Sequence, residues 1–152
     1  VFYLKLHTDP TSALNTVTAY GDGYIEINQV RYDHAVAFGP EGPVAQWHAR
    51  SASEVTTTLL RDAAGLKAAP VNPLDFLDAG ESAPAPLPDN APEVMLVGTG
   101  AVQRFLPAAV TAPLLAQGIG IEVMDTQAAA RTYNILMAEG RRVVAALMPT
   151  GE

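Results

Sequence analysis

The chain has no cysteine among its 152 residues, which removes disulfides, thiolate metal sites and a cysteine nucleophile together. The same absence is compatible with a reducing compartment, and the cytoplasm is the expected location. Positive charge is scarce: nine Lys and Arg stand against 16 Asp and Glu, for a net charge of −7. That balance repels phosphate backbones, and apart from Arg141-Arg142 the cations are scattered singly, so no nucleic-acid partner is expected. The three histidines, His7, His34 and His48, lie far apart without HExxH or paired-ligand spacing. No metal or other cofactor is expected from them. No serine sits in a nucleophile elbow. No apolar run approaches the ~20 residues needed to span a bilayer, and Val1 to Leu6 lacks the basic region and apolar core of a secretory signal.

What is present is a globular composition, 49% hydrophobic and 16% charged, at a length suited to one domain over residues 1–152. Residues 93–149 organise the chain. Val94 to Val97, Ile119 to Met124 and Val143 to Met148 are short apolar runs, as strands covered on both faces should be. Two helical segments separate them, and this alternation favours a parallel sheet with right-handed crossovers. Pro107 or Thr111 begins the first crossover helix and Gly118 ends it. Pro113 favours the later start or a break, because a proline inside the helix costs about 3 kcal/mol. Asp125 or Thr126 caps the second helix, which Gly140 ends. Ala129, Thr132, Tyr133 and Leu136 form its inner face, with Gln127, Arg131, Asn134 and Ala138 outward.

The amino-terminal part reads differently. Residues 1–15 show no sustained period and are expected to be a flexible arm. Residues 16–50 are β-rich and antiparallel: Gly21-Asp22-Gly23 supplies a tight turn, and Ile25 and Ile27 alternate with polar neighbours. Val30, Tyr32, His34, Val36 and Phe38 fall on one side of a period-2 run, predicting one strand with a buried face. Gly39 to Pro43 turns the chain, and Val44 to His48 returns as a strand. Ser53 is placed to cap a helix with Glu54 in its first turn and Gly65 at its end. Asn72-Pro73 starts a short turn through Leu77. Residues 79–92, rich in proline, predict a surface loop. The fold class is therefore α/β, a mixed sheet with a carboxyl-terminal parallel β-α-β-α-β half and an amino-terminal antiparallel portion.

Two loops carry the candidate chemistry. Gly98-Thr99-Gly100 and Asp125-Thr126 follow the first two parallel strands, and in open α/β sheets ligands bind at such strand ends beside helix amino termini. Gly98, Thr99, Gly100, Asp125, Thr126 and the nearby cation Arg131 are thus candidate ligand-binding residues. No catalytic residue is identified. The Gly-Thr-Gly motif lacks the further glycine of a dinucleotide fingerprint and the lysine of a P-loop, so Thr99 and Thr126 equally suit turn and cap bonding. Glu122 interrupts an apolar strand and needs a cation, with Arg104, Arg131 and Arg142 as candidates, or an exposed edge, or else it faces a ligand. His48, Arg50 and Ser51 form either a polar rim or a plain strand end.

Val97-Gly98-Thr99-Gly100, Phe105-Leu106-Pro107, Gly118 to Thr126, Ala128-Ala129, Arg131 to Asn134 and Glu139-Gly140-Arg141 together resemble an uncharacterised domain family of the DUF498/598 type. Its prototype is a small protein of a methanogenic archaeon. Its eukaryotic members include the third assembly factor of mitochondrial respiratory complex I and an adipogenesis-associated protein. Position 130 is Ala where many relatives carry Cys. The resemblance implies a three-layer α/β fold, no known catalytic residue, and a non-enzymatic interaction or assembly-factor-like role with a protein partner. The alternative is a small-molecule or anion site, with or without enzyme activity, at the carboxyl ends of the parallel strands. Self-association into a homo-oligomer is left open.

Overall fold

The computed structural model describes residues 14–66, 87 and 91–150. The turn expected from Asn72 to Leu77 and most of the expected surface loop lie outside them. Five strands form a mixed sheet: β4 (Val36–Phe38), β5 (Ala45–Gln46), β6 (Val94–Gly98), β7 (Gly120–Met124) and β8 (Val143–Leu147). Their order is β5-β4-β8-β6-β7. Strand β6 pairs in parallel with β7 and β8, Leu96 standing opposite Glu122 on one side and Ala145 on the other. Antiparallel β4 borders β8, with Ala37 opposite Ala146. A separate meander of β1 (Val17–Gly21), β2 (Tyr24–Ile27) and β3 (Val30–Tyr32) forms a three-stranded antiparallel sheet.

Period-2 alternation sends the side chains of the mixed sheet into two cores. On one face Met95, Val97 and Ala146 pack with Trp47, Leu60 and Leu114, under helices α1 (Thr57–Ala63) and α2 (Ala108–Ala116). On the other, Leu96, Ala145 and Leu147 meet Tyr133 and Met137 of helix α3 (Thr126–Ala138), together with Ile25 and Ile27 of the meander. Each such large apolar side chain contributes roughly 1.5–3 kcal/mol on full burial. The layers are helix, sheet and helix, the arrangement expected of the fold class.

The three α-helices of the described residues end in the same way. A glycine in the left-handed region follows each one: Gly65 at φ +76°, Gly118 at +93° and Gly140 at +80°. Behind them Leu66 N donates to Arg61 O, Ile119 N to Leu114 O and Arg141 N to Leu136 O at 2.9–3.1 Å. These are the long bonds of Schellman motifs, which satisfy carbonyls that a helix end leaves open.

Several expectations are corrected. The run from Val30 to Phe38 is two strands in two sheets: the chain leaves the meander after Tyr32, so Val30 is 53% exposed. Val36 and Phe38 point into one core and Ala35 and Ala37 into the other, because β4 is covered on both sides. Small alanines resembled an outer face and are an inner one. The expected return strand, Val44 to His48, shrinks to Ala45–Gln46. Thr56, rather than Ser53, caps α1, its hydroxyl accepting from Leu59 N at 3.1 Å. Ser53 and Glu54 belong to a preceding 3-10 turn.

Helix α2 starts directly after Pro107 and runs through Pro113. The carbonyl that Pro113 cannot serve belongs to exposed Ala109, where water can replace the missing donor. Asn15, counted in the flexible arm, is buried, as are Ala91 and Pro92 at the end of the expected surface loop. On α3, Asn134 turns inward rather than outward. Its amide group accepts from Val17 N at 3.0 Å and donates to Val17 O at 2.8 Å, pairing with β1 as a neighbouring strand would. Leu136 is only half-buried, while Ala130 and Met137 complete the inner face.

Candidate functional site

Strand β6 ends at Gly98, and α3 begins where the next parallel strand ends. The two meet closely: a Cβ on Gly98 would lie 2.9 Å from Thr126 Cα, so only glycine lets the helix start sit against the strand. Gly100, at φ +94°, then turns the chain so that its backbone bonds Thr126 reciprocally. Thr126 N donates to Gly100 O at 2.8 Å, and Gly100 N donates to Thr126 Oγ1 at 2.8 Å. The same hydroxyl donates to Met148 O at 2.6 Å. Thr126 is fully buried. Its hydroxyl therefore stitches the ends of β6 and β8 to the start of α3.

Thr99 is used similarly. Its Oγ1 donates to Val102 O at 2.8 Å and accepts from Arg104 N at 3.1 Å, closing the loop after β6 on itself. Asp125 is the α3 cap, accepting from Ala128 N at 3.0 Å. The structure thus brings Gly98, Thr99, Gly100, Asp125 and Thr126 to one corner and joins them largely to one another. Arg131 is not among them: it is exposed, and its Nη1 donates to the Tyr20 hydroxyl of β1 at 3.2 Å. Glu122 is exposed on edge strand β7, one of the placements expected for it.

Open space lies on the other side of the Gly98–Gly100 turn. A hollow of about 250 Å³ is bounded by Arg50 and Ser51, by Thr99 to Val102, by Arg104 and by Met148-Pro149. Arg50 was readable only as part of a rim with His48 and Ser51, and Arg104 only as a partner for Glu122. Their convergence is a tertiary fact with no local signal, since the loop before α1 and the loop after β6 meet only in the folded sheet. A second hollow, about 420 Å³, opens at the opposite end of the parallel strands near Glu41, Arg141 and Arg142. There Glu93 pairs with Arg141 and, at 3.9 Å, with Arg142. The bonded Arg141 guanidinium holds the Glu93 carboxyl below its ordinary 4.5. Burial pushes the Tyr133 phenol up, so it stays a hydrogen-bond donor, to Asn15 O at 2.8 Å.

Among the described residues no group of three acidic or histidine side chains could hold a metal ion. No described helix is long and apolar enough to cross a membrane. Neither hollow pairs a nucleophile with a base, and the corner holds one carboxylate engaged as a cap.

Residues 17–148 match the family model described as a protein of unknown function, DUF498/DUF598. The chain belongs to this family. Among solved structures, a Bordetella pertussis protein described as a Mth938-like domain is 62% identical over 97% of this chain and 93% of that one, with a TM-score of 0.77. A Bordetella parapertussis protein is 56% identical over 92% of this chain and 99% of that one, with a TM-score of 0.73. The NADH dehydrogenase (ubiquinone) 1 alpha subcomplex assembly factor 3 of Danio rerio is 46% identical over 57 residues, which are 38% of this chain and 33% of that protein. The chain spans under half the length of the curated relatives it matches, at 46% and 33% for the first two.

Proposed function

We propose that this DUF498/DUF598 chain is a non-enzymatic interaction module of assembly-factor type, acting on a protein partner in the cytoplasm. The observation that carries the reading is the segment from Ala101 to Ala116. Phe105 is 83% exposed, Val102 58% and Leu115 51%, and α2 itself, AAVTAPLLA, carries no charge. Large apolar side chains held in water on an ordered loop and an uncharged helix are what a partner protein would cover. The relative named as an assembly factor supports the same reading, as does the bonding of Thr99, Asp125 and Thr126 to neighbouring backbone.

The test is affinity capture from cells with quantitative mass spectrometry, comparing wild type with Phe105→Ser and Leu115→Ser. Proteins retained by wild type and lost by both variants, at unchanged thermal unfolding, are the expected outcome. The rival small-molecule reading rests on the hollow beside Arg50 and Arg104. It predicts saturable stabilisation by one metabolite through mass action, lost in Arg104→Gln, with identical protein capture by all variants.

A further inference from the structure

We propose that the hollow between Arg50 and Arg104 receives the carboxylate of an Asp or Glu side chain on a partner polypeptide, whose adjacent apolar residue covers Val102 and Phe105. This rests on the interaction-module reading and gives that surface a specific occupant.

The argument begins with charge. Among the seven described arginines, five side chains are engaged: Arg141 and Arg142 with Glu93, Arg31 over the Tyr24 ring, Arg61 with Gln117 Oε1 and Arg131 with the Tyr20 hydroxyl. The ion pairs among the described residues both use Glu93, with Arg141 and Arg142. Arg50 and Arg104, both exposed, have none. Even Glu54, which lies beside Arg50, sends its Oε1 to the Arg50 backbone N at 2.9 Å and leaves the guanidinium alone. Two unneutralised guanidinia bordering one concavity are matched by a carboxylate, which each can bind through paired N–H groups.

Size and anchoring narrow the occupant. The volume, about 250 Å³, lies below the roughly 300–1,000 Å³ of sites that enclose a small ligand, but accommodates one acidic side chain. Both arginines rise from fixed backbone: Arg50 N is held by Glu54 and Arg104 N by the Thr99 hydroxyl. Fixed attachment lowers the ordering cost of binding. Ala52 and Met148, both buried, lie against the hollow and offer it an apolar base. Val102 borders it, and exposed Phe105 is the next residue after Arg104, which offers an aromatic ring beside one of the arginines; aromatic residues and Arg are both enriched at interfaces. The net charge of −7 disfavours polyanions and a second copy of this chain, while a single carboxylate meets mainly the local field of the two guanidinia.

The test selects a phage-displayed random peptide library on the immobilised full chain. Enriched peptides are then measured by fluorescence anisotropy against wild type, the double variant R50Q/R104Q and F105S. Enriched peptides should share an acidic residue next to an apolar one. Their Kd should rise about tenfold or more in R50Q/R104Q, and equally when the peptide acid is changed to its amide. Unchanged thermal unfolding of R50Q/R104Q checks the fold, both side chains being exposed. No enrichment, enrichment without an acidic residue, or an unchanged Kd in R50Q/R104Q overturns the proposal. So does saturable stabilisation of wild type by sodium phosphate or citrate that the double variant loses while peptide binding persists, which would give the hollow to small anions. Peptides that lose affinity in F105S but not in R50Q/R104Q sink this proposal and leave the interaction module standing; loss in neither sinks both.

Discussion

At the scale of single residues, Asn15 and Gly98 show how much one position can hold. Asn15 Nδ2 donates to Gly39 O and Gly42 O at 2.9 Å, its Oδ1 accepts from Asn28 Nδ2 at 2.8 Å, and its carbonyl accepts from buried Tyr133. Asn15→Ala removes the side-chain bonds and strands two carbonyls and one amide group. Gly42 and Asn28 are exposed and Gly39 half-buried, so water can reach the stranded groups. With a net worth of about 0.5–1.5 kcal/mol per hydrogen bond, a loss of about 1 kcal/mol or more is expected in urea unfolding. A change within error would mean that water replaces the side chain. Gly98 acts by size instead. Gly98→Ala would push against the Thr126 backbone at 2.9 Å, and such overpacking costs about 1–3 kcal/mol. Because α3 must shift, near-ultraviolet circular dichroism of Tyr133 should change with it; a variant as stable as wild type would show that the corner is not tight.

At the scale of elements, the β-α-β-α-β half was legible because three independent signals agree there: apolar runs of strand length, capping residues and terminal glycines. Gly140→Ala isolates the last of these. Its φ is +80° and nothing lies within 4 Å of the added Cβ, so only the left-handed backbone opposes it. The expected loss is roughly 1–2 kcal/mol, and wild-type stability would show that the Schellman end is dispensable. The converse holds at the β2–β3 hairpin, whose two turn residues Asn28 and Gln29 have φ 53° and 68°. Asn tolerates that region and Gln does not. Gln29→Gly should therefore stabilise, by about 1 kcal/mol, read as a higher urea midpoint; a lower midpoint would show that unfolded-state entropy outweighs the relieved strain. What stayed illegible were features set by distant partners. Period-2 alternation says nothing about which sheet a strand joins, so Tyr32 and Val36 looked continuous. Nor does it show that Asn134 bonds β1, or that the loops of Arg50 and Arg104 meet.

At the scale of the whole molecule, the amino ends of the parallel strands are locked electrostatically while the carboxyl ends are locked by hydroxyls. Glu93 precedes β6 and Arg141-Arg142 precede β8. Glu93 N donates to Arg142 O at 2.8 Å, so the ion pair reinforces a backbone bond at the strand start. The hydroxyl lock has no titrating group, whereas the ion pair depends on acidity. Because the folded Glu93 pKa lies below the ordinary 4.5 through its bond to Arg141, the folded state holds fewer protons than the unfolded chain just below that value. The contribution is then complete above pH 4.5 and disappears as pH falls through the folded pKa. Glu93→Gln should lower the urea midpoint at neutral pH by a small, salt-sensitive amount, since the pair is solvent-exposed. Its deficit against wild type should close as the solution is acidified below 4.5. Raising ionic strength at neutral pH should narrow the same gap by screening. A deficit that is constant with pH and indifferent to salt would mean that Glu93 acts through packing, and that charge contributes nothing to holding the strand starts together.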